Sequence, residues 1–164
     1  MPILDSHTLE FFSRSPEQTR RLGSRLGSLL QPGDLVCLSG DLGAGKTTFV
    51  QGVAQGWGSL DQVSSPTFVL VNEYRRPGGP CLYHLDSYRL SNWLEAEDLD
   101  LDRMIEAGPL FIEWPERIKE VLPTNRLWIE MRWVADEQRG MKFLSTGERY
   151  DGLLAEFRKR VFGG

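Results

Sequence analysis

Gly40-Asp41-Leu42-Gly43-Ala44-Gly45-Lys46-Thr47 carries more structural information than any other segment of this chain. It satisfies the pattern G-x-x-x-x-G-K-[ST] at every position, the signature of a loop that wraps the oxygens of a triphosphate. Each part has a physical reason. Glycines let backbone N–H groups curl round phosphate oxygens through dihedrals that a side chain resists. Lys46 can reach the outer phosphates as a point charge, and the Thr47 hydroxyl can ligate magnesium. A helix starting at the end of the loop adds the positive end of its dipole to the anion site.

The motif needs a strand before it and a helix after it, and both are legible. Asp34 to Ser39 is a short apolar run opened by Pro32-Gly33, which suits a buried strand. Beyond the loop, Phe49, Val50 and Val53 fall on one helical face, with an end expected near Gly56 or Gly58. Ser15-Pro16-Glu17-Gln18 reads as a helix start: Ser15 as N-cap, Pro16 in the first turn, Gln18 closing a capping box. Leu22, Leu26, Leu29 and Leu30 form its buried stripe until Pro32-Gly33.

Thr67 to Arg75 alternates as a strand and leads into the turn Pro77-Gly78-Gly79-Pro80. Cys81 to Asp86 is a second strand, close enough to pair with the first as a hairpin. An acidic helical stretch follows from about Trp93 to Ala107, then strands at Leu110–Glu113 and Arg126–Trp133. A last helix from about Tyr150 to Val161 buries Leu153, Leu154, Phe157 and Val161. These elements predict an α/β sandwich with a mixed, largely parallel central sheet flanked by helices.

The bulk composition fits a single domain over residues 1–164. Hydrophobic content of 40% and charged content of 26% are those of a soluble globular protein. No run approaches a membrane span, and the start lacks a secretory signal, so the cytoplasm is the expected compartment. With 19 basic against 23 acidic residues the net charge is −4, which argues against broad non-specific nucleic-acid binding. Cys37 and Cys81 are far apart in apolar strands and read as core residues, with no zinc site.

Hydrolysis of a triphosphate needs a metal partner and a group that orients water. Asp86 ends an apolar strand, where a magnesium-holding carboxylate belongs; the plainer reading is a turn aspartate. Glu113 ends the next such strand, and strand C-termini in open α/β sheets converge on the ligand crevice. It could orient the attacking water or support the metal. Thr67, after Ser64-Ser65-Pro66, occupies the place of a switch threonine, or is an ordinary β-branched strand residue. Trp114 suits either a core plug or an aromatic wall for the nucleotide. His84 reads as a packing and hydrogen-bonding residue rather than a catalyst.

Together these segments resemble the TsaE family, the small ATPases of bacterial tRNA threonylcarbamoyladenosine biosynthesis. The resemblance runs from about Thr19 to Arg139 through Gly40–Thr48, Ser65-Pro66-Thr67-Phe68, His84-Leu85-Asp86-Ser87-Tyr88-Arg89 and Ile112-Glu113-Trp114-Pro115. It implies a P-loop fold that binds ATP and Mg2+ and hydrolyses ATP weakly alone. It also implies TsaD and TsaB as partners, with tRNA reached only through that complex. By motif, the loop residues Asp41, Leu42, Gly43, Ala44, Gly45, Lys46, Thr47 and Thr48 would bind the nucleotide. Thr47 and Asp86 would hold the metal, Glu113 would join the metal or water site, and Thr67 would act as switch threonine. Trp114 would border the nucleotide, Thr19 would lie near the adenine and Arg139 would make a late nucleotide contact.

Two rivals share the loop. A small-molecule kinase needs an arginine-bearing lid, for which Arg75-Arg76 is the only candidate, better suited to a hairpin turn. A non-catalytic nucleotide-sensing module would bind without hydrolysis.

Overall fold

The structure, a computed structural model, describes residues 5–41, 43–63, 71–88, 90 and 99–162. Leu42, Thr67 and Arg89 lie outside the described residues, as do the first part of the strand expected from Thr67 and most of the helix expected from Trp93. Its strands are β1 (Thr8–Ser13), β2 (Leu35–Ser39), β3 (Val71–Tyr74), β4 (Leu82–Asp86), β5 (Leu110–Glu113), β6 (Arg126–Ala135) and β7 (Gln138–Thr146). The helices are α1 (Pro16–Gly27), α2 (Lys46–Trp57), α3 (Leu101–Ala107) and α4 (Glu148–Phe162), with a 3-10 helix at Pro115–Val121.

All the described strands join one sheet in the order β1-β7-β6-β2-β5-β4-β3. Its centre, β6-β2-β5-β4, is parallel, while β3 pairs with β4 and β7 pairs with β6 and β1 in antiparallel fashion. The hairpin expected between the segments around residues 75 and 81 is therefore present. Strands β1 and β7 were not expected from the sequence. The turn joining β6 to β7 has no glycine; Glu137 takes the left-handed conformation there, with φ 65°, which glutamate adopts less readily than Gly, Asn or Asp.

Period-two alternation divides β2 between two cores. Val36 and Leu38 join Leu22, Phe49, Val53, Phe143 and Phe157 under α1, α2 and α4. Leu35 and Cys37 face the other way, with Leu85, Ile112, Met104 and Ile118. A strand buried on both faces needs a continuous apolar run, which is how Leu35–Leu38 reads. Burial pushes the Cys37 thiol up to about 12, so it stays an inert core thiol.

Helix α1 starts as expected: Ser15 Oγ accepts from Gln18 N–H at 3.1 Å, and Gln18 Oε1 accepts from Arg14 N–H at 2.7 Å, one residue before the usual capping-box target. It ends at Gly27, earlier than Pro32-Gly33, and Leu30 is buried in the loop that follows. Four glycines set its packing. A Cβ on Gly23 or Gly27 would collide with the carbonyl oxygens of Phe49 and Val53, and one on Gly52 or Gly56 with those of Arg20 and Ser24. Backbone therefore meets backbone between α1 and α2, as no larger residue would permit.

The entry to β2 is tied to α4. Arg149 Nε and Nη2 donate to Asp34 Oδ1 and Oδ2 at 2.9 and 2.7 Å, a two-pronged pair on a buried carboxylate. Tyr150 Oη accepts from Leu35 N–H at 2.8 Å. Both contacts fix the strand whose far end carries the phosphate-type loop. Among the described residues no helix is long and apolar enough to cross a membrane.

Candidate functional site

The loop leaves β2 at Ser39 and enters α2 at Lys46. Gly40, Gly43 and Gly45 have φ of 150°, 82° and 95°, dihedrals that disfavour any side chain. At Gly40 a Cβ would also strike the Met131 carbonyl. Gly45 caps α2 in the left-handed conformation, and the first turn of a helix has N–H groups without intrahelical acceptors. Ala44 is buried beneath the loop and joins the core, whereas Asp41 is exposed and its carbonyl accepts from Ala44 N–H at 3.1 Å.

Lys46, the first residue of α2, is only 5% exposed. Its Nζ donates to Gly40 O at 2.5 Å and sits 4.0 Å from the centroid of the Trp114 ring. Burial pushes its pKa below the ordinary 10.5, opposed by the negative fields of Glu113 and Asp86. A buried ammonium whose contacts among the described residues are one carbonyl and one aromatic face is suited to receive an anion.

The two expected carboxylates come together because β4 and β5 are parallel neighbours in register, with Asp86 opposite Glu113. Alternation turns Leu82, His84 and Asp86 to the α2 side of the sheet, as it does Phe111 and Glu113. Asp86 Oδ1 accepts from Tyr88 N–H at 2.9 Å. Burial raises the Asp86 pKa and Glu113 adds like-charge repulsion, against the lowering effect of that N–H. Glu113 is 4% exposed, and its Oε2 accepts from His84 Nε2 at 2.6 Å. His84 is fully buried, so its reading as a packed, hydrogen-bonded residue holds.

Trp114 follows Glu113 in the left-handed region, φ 59° and ψ 48°, at a position before proline that resists the right-handed helix. Such a backbone costs about 1–2 kcal/mol and needs support. Ser87 supplies it: its N–H donates to Glu113 O at 3.1 Å, and its hydroxyl lies 2.7 and 2.5 Å from the Glu113 and Trp114 carbonyl oxygens. Tyr88 packs against the indole at 5.1 Å between centroids.

A cavity of about 450 Å³ results, lined by Gly43, Gly45, Lys46, Thr47, Thr48, Asp86, Tyr88, Glu113, Trp114 and Arg139. Most of the residues singled out from the sequence thus surround one space, of a size usual for small-molecule sites. A recess of about 30 Å³ beside it shares Gly45, Thr48 and Arg139 and adds Thr19, Pro16 and Glu137. Thr19 and Arg139, 120 residues apart in sequence, meet there. The Thr19 hydroxyl pairs with Ser13 Oγ at 2.6 Å. Arg139 Nη1 donates to Ala135 and Gln138 carbonyls, while its buried Nε has no hydrogen-bond partner among the described residues.

Tyr88 and Glu137 border these spaces without a site role from the sequence, although Tyr88 stands in the His84–Arg89 motif. Tyr88 was within reach of a sequence argument, since it stands two residues after Asp86; Glu137 carried no signal. The kinase-type arginines are elsewhere. Arg76 stacks on Trp57 at 3.5 Å and Arg75 pairs with Asp61, and neither borders the cavity.

The donor set suits a magnesium triphosphate. Thr47, Asp86 and Glu113 offer the hard oxygen ligands that this ion prefers, one or two carboxylates being enough when phosphates complete the sphere.

Comparison with known proteins agrees with this geometry. Residues 13–141 match the family described as "Threonylcarbamoyl adenosine biosynthesis protein TsaE". A Bacillus subtilis protein named tRNA threonylcarbamoyladenosine biosynthesis protein TsaE is 40% identical over 152 residues, 92% of this chain and 94% of that protein. Its Streptomyces coelicolor namesake is 47% identical over 137 residues, 80% of this chain and 93% of the relative. The crystal structure of Bacillus subtilis YdiB superposes with a TM-score of 0.78 at 34% identity, covering 94% of this chain and 96% of that one. With the match spanning the loop, both carboxylates and the recess, the chain belongs to the TsaE family.

Proposed function

We propose that this protein binds ATP with Mg2+ in the cavity between the Gly40–Thr47 loop and the ends of β4 and β5, and hydrolyses it slowly to ADP and phosphate. The observation that carries the reading is the convergence of Lys46, Thr47, Asp86 and Glu113 on one cavity from three separate sequence segments. In this reading the backbone N–H groups of Gly43 to Thr48 and the Lys46 ammonium hold the triphosphate. The recess at Thr19 and Arg139 takes the base end of the nucleotide. Thr47 and Asp86 would hold magnesium, which neutralises charge on the outer phosphates when bound. Glu113, one oxygen already engaged by His84, is better suited to orient water than to serve as a full metal ligand. The whole chain, residues 1–164, acts as one ATPase domain, with Thr67 as its switch threonine.

Lys46→Ala is expected to weaken ATP binding by about 2–3 kcal/mol, on the order of a hundredfold in Kd. A titration that follows Trp114 fluorescence checks this, and unchanged affinity would remove the lysine from the phosphate site. The positions of Arg75 and Arg76 favour hydrolysis over phosphoryl transfer to a second substrate, since neither can close over the cavity from its present contacts.

The names of the relatives connect them to threonylcarbamoyladenosine in tRNA. We propose the same process here, with TsaD and TsaB as partners in the cytoplasm and tRNA reached through them. Immobilised TsaD and TsaB are expected to capture the protein more strongly with ATP than without. Capture that ignores nucleotide, or none, would sever hydrolysis from that assembly.

A further inference from the structure

Behind Glu113 the structure holds a polar row, buried from Tyr74 to Glu113, that neither nucleotide binding nor metal binding uses. It crosses three neighbouring strands on the α2 side of the sheet. Glu113 lies at the end of β5, His84 in β4, and Tyr74 and Asn72 in β3, with Asn72 and His84 opposite one another in the antiparallel register. Tyr74 Oη is 2.8 Å from His84 Nδ1, and His84 Nε2 is 2.6 Å from Glu113 Oε2. Asn72 Nδ2 approaches Tyr74 Oη at 3.5 Å. Tyr74, His84 and Glu113 are 2%, 0% and 4% exposed.

The direction of the bonds follows from the ends of the row. An ionised carboxylate only accepts, so Nε2 must carry a proton toward Glu113. In the neutral ring Nδ1 then accepts from the Tyr74 O–H, whose oxygen can in turn accept from the Asn72 amide. Every donor points the same way, toward the carboxylate. The ring cannot turn over without breaking both bonds, and a histidine's second ring nitrogen is what commonly fixes its tautomer.

We infer that His84, locked by Tyr74, is a positioning residue for Glu113: it anchors Oε2 so that the rest of the carboxylate meets the cavity in one orientation. This rests on the reading of Glu113 as the carboxylate that orients water. Removing the anchor should therefore slow hydrolysis without loosening the nucleotide, since neither His84 nor Tyr74 lines the cavity.

The test is single-turnover phosphate release from magnesium ATP, with Kd taken from the Trp114 titration, in five variants, Glu113→Gln alone among them. His84→Leu is expected to slow release on the order of tenfold to a hundredfold with Kd within about twofold, and His84→Gln, which keeps a donor at the Nε2 position, to recover most of the rate. Tyr74→Phe preserves the buried ring and should lower the rate severalfold even if His84→Leu does not fold. In the double variant His84→Leu/Glu113→Gln the losses should not multiply, because His84 acts only through Glu113. The chain has two histidines, so 15N spectra of wild type assign His84 readily, with Nε2 protonated as the expected state. Multiplying losses, a full rate in Tyr74→Phe, or an unprotonated Nε2 would each overturn the inference. If Glu113→Gln alone kept the full rate, the hydrolytic reading of Glu113 would fall and the inference with it; if only the His84 and Tyr74 variants kept it, the positioning role alone would fall.

Discussion

Glu113→Gln is expected to lower phosphate release by on the order of 10²–10³-fold while ATP affinity stays within about twofold. The substitution is nearly isosteric, and the amide oxygen still accepts from His84 Nε2, so the β4–β5 pairing and the Trp114 turn should persist. What is lost is the charge that would draw a proton from the attacking water. Asp86→Asn should reduce release comparably but differ in its magnesium dependence, since Asp86 stands where the metal would be held. Single-turnover assays across a magnesium series separate the two. If Glu113→Gln shifted the magnesium midpoint and Asp86→Asn did not, the roles would have to be exchanged.

Gly52→Val is expected to destabilise the fold by about 3 kcal/mol, at the upper end of ordinary overpacking. The new Cβ would meet the Arg20 carbonyl, and a backbone atom in the middle of α1 cannot rotate aside as a side chain can. Relief requires α1 and α2 to separate, which opens the core around Leu22, Leu26 and Val53. Helix propensity opposes this only weakly, because removing glycine from a helix interior gains less than about 1 kcal/mol. Gly152 is the control. It lies in α4 with nothing near its vacant Cβ position, so Gly152→Ala should stabilise by about 0.5–1 kcal/mol. Urea denaturation measures both, and equal midpoints for the two variants would refute the backbone-contact account. Nucleotide binding bears on this too, since α2 carries Lys46 and Thr47 into the cavity.

The sequence was most readable where local chemistry and long-range geometry coincide. The phosphate-type loop names its own strand and helix, and the Ser15–Gln18 cap announces α1 without reference to anything distant. Asp86 and Glu113 could be set near the loop because strand ends in parallel sheets share one edge. Other features depend on contacts that no local pattern encodes. The glycines of α1 and α2 look like weak helix positions until the two helices are brought together, and only then do they explain each other. Strand β7 was hidden because its turn uses Glu137 rather than a glycine, and β1 because a single edge strand has little alternation to read. The bond from His84 to Glu113 joins residues 29 apart in sequence. Two adjacent strands had to be in register before a histidine read as packing became the support of a carboxylate.

Crystals of the protein grown with a non-hydrolysable ATP analogue and magnesium would show whether the triphosphate lies in the loop. Triphosphate density is expected along the backbone of Gly43 to Thr48, with Lys46 drawn from Trp114 toward the phosphates, a metal at Thr47 and Asp86, and the base beside Thr19 and Arg139. Density for the analogue elsewhere on the molecule, with Lys46 still against Trp114, would contradict it.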